Sequence, residues 1–213
     1  MDRESAIFTR LKAKYPAAQC ELGYNSPFEL LVAVILSAQC TDKRVNEVTK
    51  DLFVYANKPE HFANMDVAEL EKAIYTCGFY HNKAKNIIAA SKDICEKFGG
   101  NVPSNMDDLL TLSGVGRKTA NVVLNVAFGQ PTIPVDTHVF RVSHRLALSN
   151  GKTPDDVEAD LVRTIPDEFR PDAHHLLIFH GRYCCKAMRP DCAHCPLTDL
   201  CVEYSKIKQN NKE

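Results

Sequence analysis

Cys185, Cys192, Cys195 and Cys201 follow the spacing C-x6-C-x2-C-x5-C within one short, loop-like segment. Thiolates this close together can surround a single metal centre, and the spacing suits a four-iron, four-sulfur cluster held by one local loop. A structural zinc ion takes the same ligands, although its usual signature is a pair of C-x2-C knuckles and only one stands here. Residue types alone leave both open. Cys184 falls outside the tight spacing and reads as a bystander. Cys20, Cys40, Cys77 and Cys95 are scattered through expected helices, as small buried apolar side chains. With nine cysteines, an odd number, and no secretory signal, a disulfide scaffold is a poor fit.

A second chemistry-bearing segment is Leu112-Ser113-Gly114-Val115-Gly116-Arg117-Lys118-Thr119-Ala120, between two expected helices. Its glycines permit positive φ and close backbone approach. The first amides of the following helix lack intrahelical partners, which makes them a phosphate site that does not read sequence. Gly-x-Gly alone favours an ordinary helix–turn–helix connector; the continuation into Lys118-Thr119-Ala120-Asn121-Val122-Val123-Leu124 is far more specific. A helix start and an adjacent Arg117 both disfavour a further cation at Lys118. That favours the free amine a Schiff-base nucleophile requires. Asp136 is its natural partner. A helix of about eleven residues leads roughly 16 Å away from Lys118, and residues 129–135 can return more than about 20 Å if extended. Val135-Asp136-Thr137-His138 also reads as a helix start, and spacing alone favours Asp136 as its cap.

These groups must be positioned by helices. Ser26-Pro27-Phe28-Glu29 combines an N-cap, a proline at the first helical position and a capping-box glutamate. The apolar run Leu30 to Leu36 follows and predicts a central helix. Thr41 or Asp42 opens the next, Asp66 another that Gly78 stops, and Asn82 to Phe98 a fourth. Ser104 caps a short helix through Leu112, Gly116 to Phe128 is apolar on one face, and Thr137 to Leu148 continues the pattern. Thr153-Pro154 and Pro171 begin two more. Pro131 and Pro134 make 130–135 an extended connector rather than a central strand. An all-α fold of about ten helices is expected, with a frayed polar tail from Lys206.

Lys and Arg total 26 against 27 Asp and Glu, a net charge of −1, so no global basic footprint advertises nucleic acid. Any such footprint must be gathered locally, from Lys83, Lys85, Arg117, Lys118, Arg141, Arg145, Arg182, Lys186 and Arg189. Met1 to Ala17 has no apolar core of the signal-peptide kind. No apolar run approaches the roughly 20 residues of a membrane span. The chain is expected to be a soluble monomer without membrane partners, in a bacterial cytoplasm at the nucleoid or, in a eukaryotic host, in the nucleus.

Taken together, Leu112 to Leu124, Val135-Asp136-Thr137-His138 with Arg141, His180-Gly181-Arg182 and the four-cysteine loop resemble the endonuclease III family of helix–hairpin–helix DNA glycosylases. The resemblance runs from Ser26-Pro27-Phe28-Glu29-Leu30-Leu31 to Cys201. It implies an all-α, two-lobed fold with the DNA groove between lobes: a six-helix domain over 22–130, and a discontinuous domain of 1–21 plus 131–213 with the 4Fe–4S loop. It implies an enzyme that removes oxidised pyrimidines from damaged double-stranded DNA and cleaves the abasic site. Carried over by position, Lys118 is the nucleophile and Asp136 the catalytic carboxylate. Gln39 fills the gap left by the flipped nucleotide, and Phe79 wedges into the stack where the family usually has leucine. The bland alternatives are a polar helix end for Gln39 and core packing for Phe79. Gly114, Gly116, Arg117 and Thr119 of the hairpin, with Arg141, Arg182, Lys186 and Arg189, are expected on the DNA. Ser113 departs from the usual proline, and Cys40 and Cys184 stand where no thiol is required. Many monofunctional glycosylases lack a lysine at this position, so Lys118 argues against them, and the Lys118–Asp136 pair argues against a non-catalytic DNA-binding module. A pyrimidine-dimer glycosylase/lyase fits every residue named.

Overall fold

The computed structural model describes residues 2–210 and, among them, contains α-helices, two short 3-10 turns and no strand. The chain divides into two compact units, Glu21–Gln130 and Met1–Cys20 with Pro131–Glu213. No helix among the described residues is long and apolar enough to cross a membrane.

The unit Glu21–Gln130 holds α2 (Pro27–Ser37), α3 (Asp42–Tyr55), α4 (Pro59–Ala63), α5 (Val67–Ile74), α6 (Tyr80–Phe98), α7 (Met106–Thr111) and α8 (Arg117–Phe128). That is seven helices against an expected six, because Pro59 opens the short α4. Helix α2 is buried along Phe28 to Leu36 and packs on α3, α6 and α8, which is why its sequence is apolar all round. Its start is a capping box displaced by one residue. The Ser26 hydroxyl accepts the Glu29 amide at 3.1 Å, but the Glu29 carboxylate accepts the Asn25 amide at 2.6 Å rather than that of Ser26. Thr41 caps α3, and Asn105, not Ser104, caps α7. Helix α6 starts at Tyr80 rather than Asn82, its N-cap Phe79 being left-handed at φ 58°.

The second unit contains α1 (Arg3–Lys14), α9 (Thr137–Arg145), α10 (Pro154–Thr164), α11 (Arg170–Tyr183) and α12 (Val202–Asn210). The tail expected to fray from Lys206 is helical to Asn210, started by Val202 just beyond the cysteine loop. The core gathers Ile7, Phe8 and Leu11 of α1 with Val139, Val142, Leu161 and Leu177. Thr153 and Asp156 complete a reciprocal capping box at α10. Residues 130–135 form neither helix nor strand and connect α8 to the second unit.

Candidate functional site

Three exposed features of the unit Glu21–Gln130 are organised by the first two turns of α6. The first is the hairpin between α7 and α8. Buried Leu112 and Val115 anchor it, and the Val115 amide closes the turn onto the Leu112 carbonyl at 3.1 Å. Gly114 is left-handed at φ +77°, and a Cβ there would lie 2.8 Å from Cβ of Asn86 on α6, so glycine is required twice over. Gly116 differs: its φ is −91° and a Cβ would meet nothing within 4 Å. It is the N-cap of α8, with no side chain capping the helix. The α8 amide end and its partial positive charge therefore face open space. Arg117 and Lys118 are exposed in this first turn, and Thr119 is half-buried.

The other two features are turns, one at the end of α2 and one before α6. Gln39 and Phe79 are both exposed and left-handed, at φ 54° and 58°. For a phenylalanine this is a costly conformation, of order 1–3 kcal/mol, and such strain concentrates at functional sites. Phe79 is 64% exposed, so core packing is not its role. The two turns abut: a Cβ on Gly78 would stand 3.7 Å from the Gln39 carbonyl oxygen. Lys83 ties them together. Its ammonium donates to the Leu36 carbonyl at 2.8 Å and the Ala38 carbonyl at 2.7 Å, occupying the C-terminal end of α2. Lys83 is only 5% exposed, so this cation leaves the set available to phosphate. Phe79, Lys83 and Asn86 recur at helical spacing, so one face of α6 carries the exposed Phe79 ring, holds the Gln39 turn and abuts the hairpin. The sequence marked Lys83 only as one basic residue among many, and Asn86 not at all.

In the other unit, Asp136 caps α9: its carboxylate accepts the Val139 amide at 2.7 Å, as spacing favoured. Arg141 spends its guanidinium inside the same unit, donating to the carbonyls of Cys185 at 3.1 Å and Gly181 at 2.9 Å. Arg145 donates likewise to the carbonyls of Lys186 and Ala187. Both arginines thus hold the cysteine loop by its backbone. Lys186 and Arg189 are exposed on that loop, and Arg182 is half-buried.

Cys185, Cys192, Cys195 and Cys201 all line one cavity of about 160 Å³, with Cys184 and His180. A packed core rarely leaves a void larger than a water molecule. The space is larger than one metal ion needs and has room for a polynuclear centre. Burial raises the Cys192 and Cys201 thiols, and neighbouring sulfurs add to the effect. Such crowded sulfurs become thiolates only against a positive centre. The tightest trio of ligand atoms among the described residues is a different one, His180, Cys184 and Cys195, within 4.8 Å of one another. His180 is buried and its ring held neutral, its pKa lowered to about 4 by burial and then by the Lys14 charge. Its Nδ1 meets the Tyr15 hydroxyl at 3.3 Å and its Nε2 the Cys195 sulfur at 3.7 Å. Cys184 is raised to about 12, by burial first and Cys195 second, and its thiol donates to the Asp191 carbonyl at 3.4 Å. That bond, with the Asp191 amide donating to the Cys184 carbonyl, closes the base of the loop.

Residues 32–167 match the model of the HhH-GPD superfamily of base excision DNA repair proteins. The chain is 51% identical over 202 residues to endonuclease III of Haemophilus influenzae, covering 95% of this chain and 96% of that one. To endonuclease III of Bacillus subtilis it is 54% identical, over 90% and 88% of the two chains. Among solved structures it is similar to a trapped covalent intermediate of endonuclease III with DNA, at 45% identity and a TM-score of 0.90, covering 98% and 99% of the two chains. A thermostable thymine-DNA glycosylase, 22% identical at a TM-score of 0.87 over 96% and 97% of the two chains, shares the fold. With family model, full-length relatives and fold in agreement, the chain belongs to the endonuclease III family of base excision DNA repair enzymes.

Proposed function

We propose that this protein removes oxidised pyrimidines from double-stranded DNA and then cleaves the abasic site, with Lys118 as the nucleophile of both steps. The observation that carries the reading is Lys118 itself: an exposed amine in the first turn of α8, beside an uncapped amide end that suits a phosphate. An oxidised, non-planar pyrimidine stacks poorly, so extruding it costs less than extruding a normal base. The Lys118 amine attacks the sugar C1′ and the base departs with the bonding pair. The resulting iminium acidifies the C2′ hydrogen, and β-elimination breaks the strand on the 3′ side. Asp136 is assigned as the carboxylate that accepts a proton or balances the developing positive charge. Gln39 and Phe79 are assigned to the duplex, Gln39 to the vacated position and Phe79 to the adjoining stack. Gly114, Gly116, Arg117 and Thr119 present the hairpin to phosphate, with Lys186, Arg189 and Arg182 as further cations. Arg141 is assigned to holding the cysteine loop.

Cys185, Cys192, Cys195 and Cys201 are assigned as the ligands of a four-iron, four-sulfur cluster. When bound, the cluster supplies the positive centre that lets four half-buried sulfurs ionise together; it takes no part in base removal. Borohydride trapping on a duplex carrying thymine glycol tests the main assignment. The intact protein should form a covalent adduct, and Lys118→Ala none. Adduct at the wild-type level in Lys118→Ala would overturn it.

A further inference from the structure

Cys40 and Cys77 belong to no site described so far, yet they form a pair. Cys77 is fully buried in the core, and half-buried Cys40 packs against the same cluster. Their thiols are near neighbours, and the residues beside them, Gln39 and Gly78, lie against each other. Around them the chain is drawn tight: a Cβ on Gly78 would stand 3.7 Å from the Gln39 carbonyl oxygen, and the Lys83 ammonium makes its two bonds there. Lys83 and Arg44 both place positive charge beside Cys77, and Lys83 beside Cys40 as well. A thiol pair that is partly exposed and flanked by cations is the setting in which a cysteine reacts with electrophilic sulfur. Burial pushes the Cys77 thiol up to about 11, which leaves Cys40, the member open to solvent, as the first to react.

We infer that Cys40 and Cys77 are a reversible thiol–disulfide site, oxidised by small-molecule disulfides, whose closure fastens the Gln39 turn to the Phe79 turn. The Cys40 thiolate attacks a small disulfide and releases one thiol, leaving a mixed disulfide on Cys40. Cys77 loses its proton to solvent and attacks the Cys40 sulfur, releasing the second thiol. In sum, two protein thiols become one disulfide while one small disulfide becomes two thiols; excess small thiol reverses both steps. Cys40 directly follows Gln39, and Cys77 lies two residues before Phe79. The bond therefore ties together the two left-handed turns. That this weakens DNA binding rests on the assignment of Gln39 and Phe79 to the duplex, because neither turn can then adjust to an opened stack.

The test is equilibration of the cluster-loaded protein with glutathione and its disulfide under anaerobic conditions. Alkylation and peptide mapping follow, while visible absorbance reports the cluster. Two of the nine cysteines should leave the alkylated pool together and map as a Cys40–Cys77 bridge, with absorbance unchanged. The oxidised protein should bind a duplex carrying an uncleavable abasic analogue about tenfold more weakly, and excess glutathione should restore it. Cys40→Ser, a mild change at a half-exposed position, should bind as the reduced protein does and ignore the oxidant. Failure of the bridge to form, or a bridge between other cysteines, overturns the site. A bridge that leaves affinity unaltered overturns the clamp. Neither result bears on Lys118, which borohydride trapping of the reduced protein reads separately.

Discussion

The hairpin of Glu21–Gln130 and the cysteine loop of the other unit are built on opposite principles. The loop is held by its backbone: Arg141, Arg145, Lys14 and Arg10 donate to the carbonyls of Cys185, Lys186, His194 and Pro196. Its four cysteines line one common cavity. The hairpin is held from below, by Leu112, Val115 and the close approach of Asn86, and leaves its amides and Lys118 outward. One region uses its polar groups to complete itself; the other leaves them for a ligand. Substitutions in the loop should therefore be felt as stability, and substitutions on the hairpin's open side as function.

The largest effect expected is on catalysis alone. Lys118→Ala should lower cleavage of an abasic duplex by on the order of 10⁴-fold, with thermal midpoint and duplex affinity close to wild type. Loss of folding instead would break the contrast. Next is Cys192→Ser, which should abolish the visible absorbance and destabilise the loop by several kcal/mol, since ligand binding there is folding energy. Cys184→Ser should retain absorbance if Cys184 only closes the base of the loop. Loss of iron from that variant, measured by stoichiometry, would make Cys184 a ligand.

The two hairpin glycines sharpen the comparison within a single turn. Gly114→Ala combines a left-handed conformation with a 2.8 Å clash against Asn86. Chemical denaturation should show a loss of about 2–4 kcal/mol. Gly116→Ala has ordinary φ and open space, so stability should move by less than about 0.5 kcal/mol. Its methyl group would stand where a phosphate approaches, and duplex affinity should fall several-fold. Equal stability losses in the two would refute the assignment of Gly116 to ligand approach.

Much of this was legible in residue order. Caps at Ser26, Thr153 and Asp136 follow from local hydrogen-bonding chemistry that a few residues specify completely. The four-cysteine spacing marked the cavity lining because the four residues are near neighbours in the chain. What was not legible depends on approach between distant segments. Lys83 read as a surface cation because nothing in its neighbours announces the Leu36 and Ala38 carbonyls where α2 ends. Asn86 beneath Gly114, and Cys77 against Cys40, are likewise products of packing. The left-handed conformation at Phe79 was invisible because propensity argues against it, and the cost is accepted only where something else demands that geometry.

Phe79 supplies the one expected change in stability of opposite sign. Its exposed ring gains little from the fold, while its backbone sits in a region that L-residues avoid. Phe79→Gly removes the steric penalty of the left-handed conformation but adds freedom to the unfolded chain, so the two terms partly cancel. A net gain of up to about 1 kcal/mol is expected. The same variant loses the aromatic surface proposed to enter the base stack, and its rate on thymine glycol should fall several-fold. A more stable but slower enzyme is what a conformation retained for the ligand predicts. If the variant is instead less stable, the left-handed turn is required by folding, and Phe79 belongs with the self-completing cysteine loop rather than with the open hairpin.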